Sequence, residues 1–187
     1  MNASTAHPDA LPADAGRRRL IYGGVAVAAA AAGAGLAWWK FEPHAADSAA
    51  LDTLWASSFD TPNGAVLPMQ ALRGKPLLIN FWATWCPPCI EELPLIDNFY
   101  RQNSAKSWQV LGLAIDQPSA VRTFLSRTPV SFPVGLAGLE GTALGKALGN
   151  RSGGLPFSVV VSASGDLLHR KMGKLSESDL AQWAKSA

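Results

Sequence analysis

The sequence predicts an α/β domain, a central mixed β-sheet with helices on both faces, carried behind one membrane-spanning helix. Three observations predict it. The apolar runs PLLINFW at 76–82 and WQVLGLAI at 108–115 are nearly continuous rather than alternating, as in strands covered on both faces. Helical segments follow each of them, so strand and helix alternate. Two later runs flank Gly165-Asp166 as an antiparallel hairpin before a last helix.

The chain has 187 residues, of which 48% are apolar and 16% charged, too hydrophobic a mixture for a disordered chain. Its formal charge is only +2, and Arg17, Arg18 and Arg19 concentrate the excess in one short cluster. Nucleic acid is thereby a poor partner, because phosphate binding needs a basic face.

Residues 1–19 read as a cytoplasmic tail and 20–39 as a transmembrane anchor or uncleaved signal. The second segment, LIYGGVAVAAAAAGAGLAWW, carries no charge. At about 1.5 Å per residue it reaches roughly 30 Å, the thickness of a hydrocarbon core. The preceding arginines keep the N-terminus inside, which exports the rest, and Trp38 and Trp39 suit the far interface. The span is mostly Ala and Gly, so its stronger apolar residues favour insertion by only roughly 2 to 3 kcal/mol. Small residues and Arg17-Arg18 also loosely resemble a cleaved twin-arginine signal; the length of the apolar run and its bulky tryptophans argue for retention. Residues 40–54 show no sustained amphipathic period and read as a tether, leaving 55–187 as the folded domain.

Within that domain, 55–59 and 65–69 flank the turn Thr61-Pro62-Asn63-Gly64 as an N-terminal hairpin. The strand at 76–82 leads into a helix from Pro87 to about Tyr100, with proline suited to its first turn. After the strand at 108–115 come a helix at 119–126, a strand at 130–136 and a short, glycine-interrupted helix at 139–148. The closing hairpin pairs 157–161 with 167–172. Ser176 and Asp179 then supply a capping pattern for a helix ending near Lys185.

The chain holds two cysteines, Cys86 and Cys89, in the run Trp85-Cys86-Pro87-Pro88-Cys89. A bridge between them closes too short a loop to restrict the unfolded chain much, so it serves chemistry rather than stability. Disulfide exchange needs a thiolate, and an ordinary thiol with a pKa of about 8.5 is mostly protonated at neutral pH. At a helix N-terminus, unpaired N–H groups and the helix dipole favour the negative sulfur of Cys86, the nucleophile. Cys89, one turn deeper, is the resolving thiol that displaces the partner from the mixed disulfide. The two sulfurs carry the electrons, so no cofactor is needed. Pro87 and Pro88 lack N–H donors, which weakens thiolate stabilisation and points toward a reducing centre.

At about 100° per residue, Glu92 lies about 60° from Cys89 on the helix while Glu91 points nearly opposite. Glu92 is therefore the carboxyl that can give or take the Cys89 proton if burial raises its pKa; Glu91 simply favours the first turns. No metal centre is expected: tetrahedral zinc wants four ligands, and neither a second cysteine pair nor a histidine cluster exists. His7 and His44 fall in the tail and tether, and His169 reads as a surface residue of the late hairpin.

The run from Asn80 to Cys89 resembles the TlpA/ResA branch of thioredoxin-like proteins, which includes cytochrome c maturation reductants. Supporting features are Arg73-Gly74-Lys75-Pro76, Glu92, Pro94 and Gly154-Leu155-Pro156. The resemblance spans roughly 55–187 and implies the thioredoxin fold with a strand and helix inserted before the closing hairpin. It further implies that Pro156 is cis and faces the cysteines, and that the Leu155 backbone pairs with substrate, where Trp85 also contributes. Thioredoxin itself has a buried aspartate where Asn80 stands, which leaves Glu92 as the substitute proton acceptor.

The resulting expectation is a protein-disulfide reductase on the periplasmic or extracytoplasmic side of the cytoplasmic membrane. Its partner is a protein disulfide, for example of apocytochrome c or a copper-binding oxidase subunit, and a membrane electron donor re-reduces it. A disulfide oxidase or isomerase would use the same residues. A copper chaperone would use both thiolates with His169. Peroxide-reducing relatives need a Thr-x-x-Cys pattern, which this sequence lacks.

Overall fold

The computed structural model describes residues 45–186. The expected tail, the anchor at 20–39 and the first residues of the tether lie outside them. Among the described residues no helix is long and apolar enough to cross a membrane.

Three parallel strands form the centre: β3 (Leu77–Trp82), β4 (Gln109–Ala114) and β5 (Val134–Leu136). On one side β6 (Phe157–Val161) runs antiparallel to β3 and β7 (Leu167–Met172) antiparallel to β6. On the other, β1 (Ser58–Asp60) pairs antiparallel with β5 and with β2 (Val66–Pro68). The order across the seven strands is β2-β1-β5-β4-β3-β6-β7, a mixed sheet as expected.

The helices are α1 (Ala45–Ala56), α2 (Pro87–Asn103), α3 (Pro118–Arg127), α4 (Glu140–Ala147) and α5 (Glu177–Ser186). Strand periodicity sorts them into two layers. Leu77, Ile79 and Phe81 point to one face and pack with Leu54 and Trp55 of α1 and Leu144 of α4. Leu78 and Trp82 point to the other and pack with Leu93 and Ile96 of α2, Val121 of α3 and Leu180 and Trp183 of α5. Every residue of β3 is therefore buried, whichever way it points. Each large apolar side chain so covered contributes about 1.5–3 kcal/mol before conformational entropy is set against it.

The tether expected at 40–54 is corrected by α1, which spans Ala45–Ala56 and buries Ala50, Leu51, Leu54 and Trp55. These four fall at i, i+1, i+4 and i+5, one helical stripe. A boundary drawn at 54 split that stripe, and alanine-rich neighbours hid it. Trp55 accordingly belongs to α1 rather than the hairpin, with the Arg73 guanidinium stacked over its ring, 5.2 Å from the centroid. The hairpin proper pairs Ser58 with Pro68, and Gly64 takes a φ of +86° at its turn.

The strand expected at 130–136 begins only at Val134, because Pro129 and Pro133 bring no N–H to a ladder. The glycine-interrupted helix forms at 140–147. A Cβ on Gly141 would lie 2.7 Å from Cβ of Ala137, so close packing accounts for that glycine. The capping pattern also forms: Ser176 N–H donates to Asp179 Oδ2 at 2.7 Å, and Asp179 N–H returns to Ser176 Oγ at 3.2 Å.

Candidate functional site

The chain leaves β3 at Trp82 and turns through 83–85 into α2, for which Cys86 is the N-cap in an extended conformation. Asp116, just past β4, holds this turn: its Oδ2 accepts the Thr84 N–H at 2.8 Å and the Thr84 hydroxyl at 2.6 Å. The loops leaving two parallel strands are thus tied together directly before the cysteines.

Cys86 and Cys89 form a disulfide with Cα atoms 5.3 Å apart. Cys86 is 4% exposed and Cys89 wholly buried, so a partner approaching from solvent meets Cys86 first. Trp85 beside it is 63% exposed, unusual for a large aromatic ring in a domain otherwise well packed. Pro87 and Pro88 occupy the first positions of α2. The first available amides, of Cys89 and Ile90, donate to the Cys86 carbonyl at 3.1 and 3.2 Å.

The Leu155–Pro156 peptide bond is cis. Phe157, the next residue, pairs with Phe81 near the Trp82 end of β3, so Pro156 stands at the sheet end from which the cysteine turn departs. Pro156 is buried, while half-buried Leu155 touches both cores. Trp85, Cys86, Leu155 and Pro156 are therefore brought to one end of the sheet, as the sequence led one to expect.

Glu92 lies on the inner face of α2, wholly buried, one turn beyond Cys89. Residues three apart on a helix have Cβ atoms about 5–6 Å from each other. Its Oε1 accepts from Asn80 Nδ2 at 2.7 Å and its Oε2 from the Leu175 N–H at 2.6 Å. Burial raises its pKa above the ordinary 4.5; the Leu175 and Asn80 hydrogen bonds and the charges of Lys174 and Lys171 oppose that without cancelling it. Asn80 Nδ2 also donates to Ser158 Oγ at 3.0 Å. Glu91 instead pairs with Lys174 at 2.8 Å on the surface, as its helical angle predicts.

His169 goes elsewhere. It pairs with Val160, which pairs with Leu78, placing it about 13 Å down the strands from the Trp82 end at about 3.3 Å per residue. Its ring stacks on Trp183, 5.5 Å between centroids, and its Nε2 lies 2.6 Å from Ser186 Oγ. The cysteine–His169 ligand set of a copper chaperone is thus not assembled. Among the described residues no group of three or more His, Cys, Asp or Glu could hold a metal ion.

Two contributors escaped the sequence reading. Asp116 could have been suspected from its place between a buried strand and a Gln-Pro helix start. Ser158 had no signal, because its partner lies 78 residues away.

A profile of the family described as Redoxin matches residues 49–183. Among curated proteins, the chain is 30% identical over 119 residues to the thiol-disulfide oxidoreductase ResA of Bacillus cereus, a match covering 63% of this chain and 66% of that relative, just under two thirds of its length. The crystal structure of a thiol:disulfide interchange protein, thioredoxin family protein from Chlorobium tepidum, is similar with a TM-score of 0.61 and 29% identity, over 70% of this chain and 92% of that one. A thioredoxin-related protein from Neisseria meningitidis gives a TM-score of 0.56 and 33% identity, over 63% and 87% of the two chains.

Proposed function

This chain belongs to the Redoxin family, its domain being a thiol–disulfide oxidoreductase, and we propose that the whole protein reduces protein disulfides outside the cytoplasmic membrane. The observation that carries the direction is the start of α2. Two prolines there have no N–H, and the next two amides are directed to the Cys86 carbonyl. A thiolate at Cys86 is left mainly with the helix dipole. A less stabilised thiolate makes the dithiol a better electron donor.

In the reaction Cys86 thiolate attacks a sulfur of the partner's disulfide, forming a mixed disulfide and releasing the partner's other sulfur as a thiolate. Cys89 then gives its proton to Glu92 and attacks Cys86 Sγ. The Cys86–Cys89 bond forms, the bond to the partner breaks, and the partner leaves reduced by two electrons. Trp85 and the Leu155 backbone position the incoming chain, with Pro156 facing the sulfurs. Pairing through main-chain groups tolerates varied substrates, which suits apocytochrome c or a copper-binding oxidase subunit.

The apolar segment at 20–39 and the arginines before it support a single anchor with the domain outside. A membrane electron donor then regenerates the dithiol. The test is Cys89→Ser in the full chain, which blocks resolution: the expected result is a set of exported proteins held on Cys86 and released by reductant. Failure to trap any, or a reduction potential near about −120 mV as in strong oxidants, overturns the reductase reading.

A further inference from the structure

One turn beyond Cys89 on α2, Glu92 joins Asn80 of β3 and Ser158 of β6 in a wholly buried polar chain. Asn80 Nδ2 uses both its hydrogens, toward Glu92 and toward Ser158. Its Oδ1 is buried and has no hydrogen-bond partner. Such an orphan acceptor is costly, yet it lies on the same amide that holds Glu92, the one wholly buried glutamate among the described residues.

The arrangement suits a charged Glu92, both of whose oxygens receive N–H donors. A protonated Glu92 has the opposite need, an acceptor for its O–H. Turning the Asn80 amide over presents Oδ1 to Glu92. The Ser158 hydroxyl, which can accept from nitrogen or donate to oxygen, stays bonded in either orientation.

We propose that Asn80 is a positioning residue whose amide turns over as Glu92 gains or loses a proton, with Ser158 as its pivot. This rests on the reading of Glu92 as the acceptor of the Cys89 proton. When the Cys89 thiol passes its proton to the carboxylate, the resulting thiolate forms the bond to Cys86 Sγ, and the displaced sulfur departs with the electron pair. The adapter gives the carboxyl a hydrogen-bond partner before and after that transfer. The charged groups nearest Glu92 are Lys174 and Lys171, which pair with Glu91 and Asp179 respectively; Asn80 and Ser158 do not titrate.

Two measurements on the full chain test it. In the disulfide form no thiol titrates, and the Asn80 side-chain amide is expected to shift by NMR with the midpoint of the Glu92 carboxyl; an amide that stays flat through that midpoint overturns the proposal. In the reduced form, resolution of the glutathione mixed disulfide is followed against pH after mixing with oxidised glutathione. Asn80→Leu removes a donor from the carboxylate and an acceptor from the acid, and since the bond to the charged form is the stronger, the carboxyl-linked midpoint is expected to rise by less than about one pH unit. A rise of about two pH units, that of a donor fixed in one orientation, overturns the proposal. Glu92→Gln separates the two readings: it should abolish that midpoint, and its persistence overturns the role of Glu92 itself, and the adapter with it.

Discussion

Thr84 gives both its backbone N–H and its hydroxyl to a single carboxylate oxygen of Asp116, at 2.8 and 2.6 Å, so the turn that presents the cysteines is anchored on the loop leaving the neighbouring strand β4. Asp116→Ala should remove both bonds and lower stability by about 1.5–3 kcal/mol, the range for hydrogen bonds to a charged group. It should also slow exchange at Cys86, since that sulfur follows the turn by two residues. Unfolding midpoints and exchange rates check this, and Thr84→Val in a double-mutant cycle isolates the pair.

Glu92 ties stability to pH in an unusual direction for a carboxyl. Its folded pKa is raised, so the native state binds a proton more tightly than the unfolded chain, where the value is near the ordinary 4.5. Stability that this proton supplies is present below the unfolded pKa and is lost as pH rises through the raised folded one. Comparing unfolding free energies of the natural chain and Glu92→Gln across that window should show a decline with pH in the first that is missing from the second. Parallel curves would count against a raised pKa.

Leu54 is wholly buried and Trp55 is 3% exposed, both beneath the sheet face opposite the cysteines. Leu54→Ala is expected to cost about 2–5 kcal/mol and Trp55→Ala about 3–5 kcal/mol. Denaturant titrations of the two variants check this; changes below about 0.5 kcal/mol, typical of surface positions, would mean that α1 adds little to the core.

Trp85 should behave in the reverse manner. Truncating this exposed ring is expected to change stability by less than about 0.5 kcal/mol. With a protein disulfide as substrate, Trp85→Ala should raise KM by about tenfold, as for a buried aromatic anchor of an interface. Reaction with glutathione, too small to cover the ring, should be unaffected. Equal losses with both substrates would reassign Trp85 to the geometry of the cysteine turn.

Much of this protein was legible in order along the chain because its signals are local. Continuous apolar runs mark β3 and β4, Pro87 and Pro88 mark the start of α2, and Ser176 with Asp179 marks the start of α5. Helical angle alone separated buried Glu92 from exposed Glu91. Trp-Cys-Pro-Pro-Cys, read as a family motif, marked the cysteine pair that the structure shows bridged, and Gly-Leu-Pro marked the cis bond found at Pro156. Local signals failed where pattern and partner were split. The apolar stripe of α1 occupies little more than one turn among alanines, and it becomes a helix worth burying only when Leu77, Ile79 and Phe81 offer a face to cover it.

By itself the sequence determined which atoms exchange electrons and the alternation of strand and helix that holds them, since both depend on spacing of a few residues. Only the tertiary structure decided what surrounds those atoms. Asp116, Asn80 and Ser158 meet the site through strand pairing across tens of residues, and His169 is kept from it by the same register. A hydrogen bond between distant segments leaves no periodicity in the chain; it exists only once the sheet has set the distance.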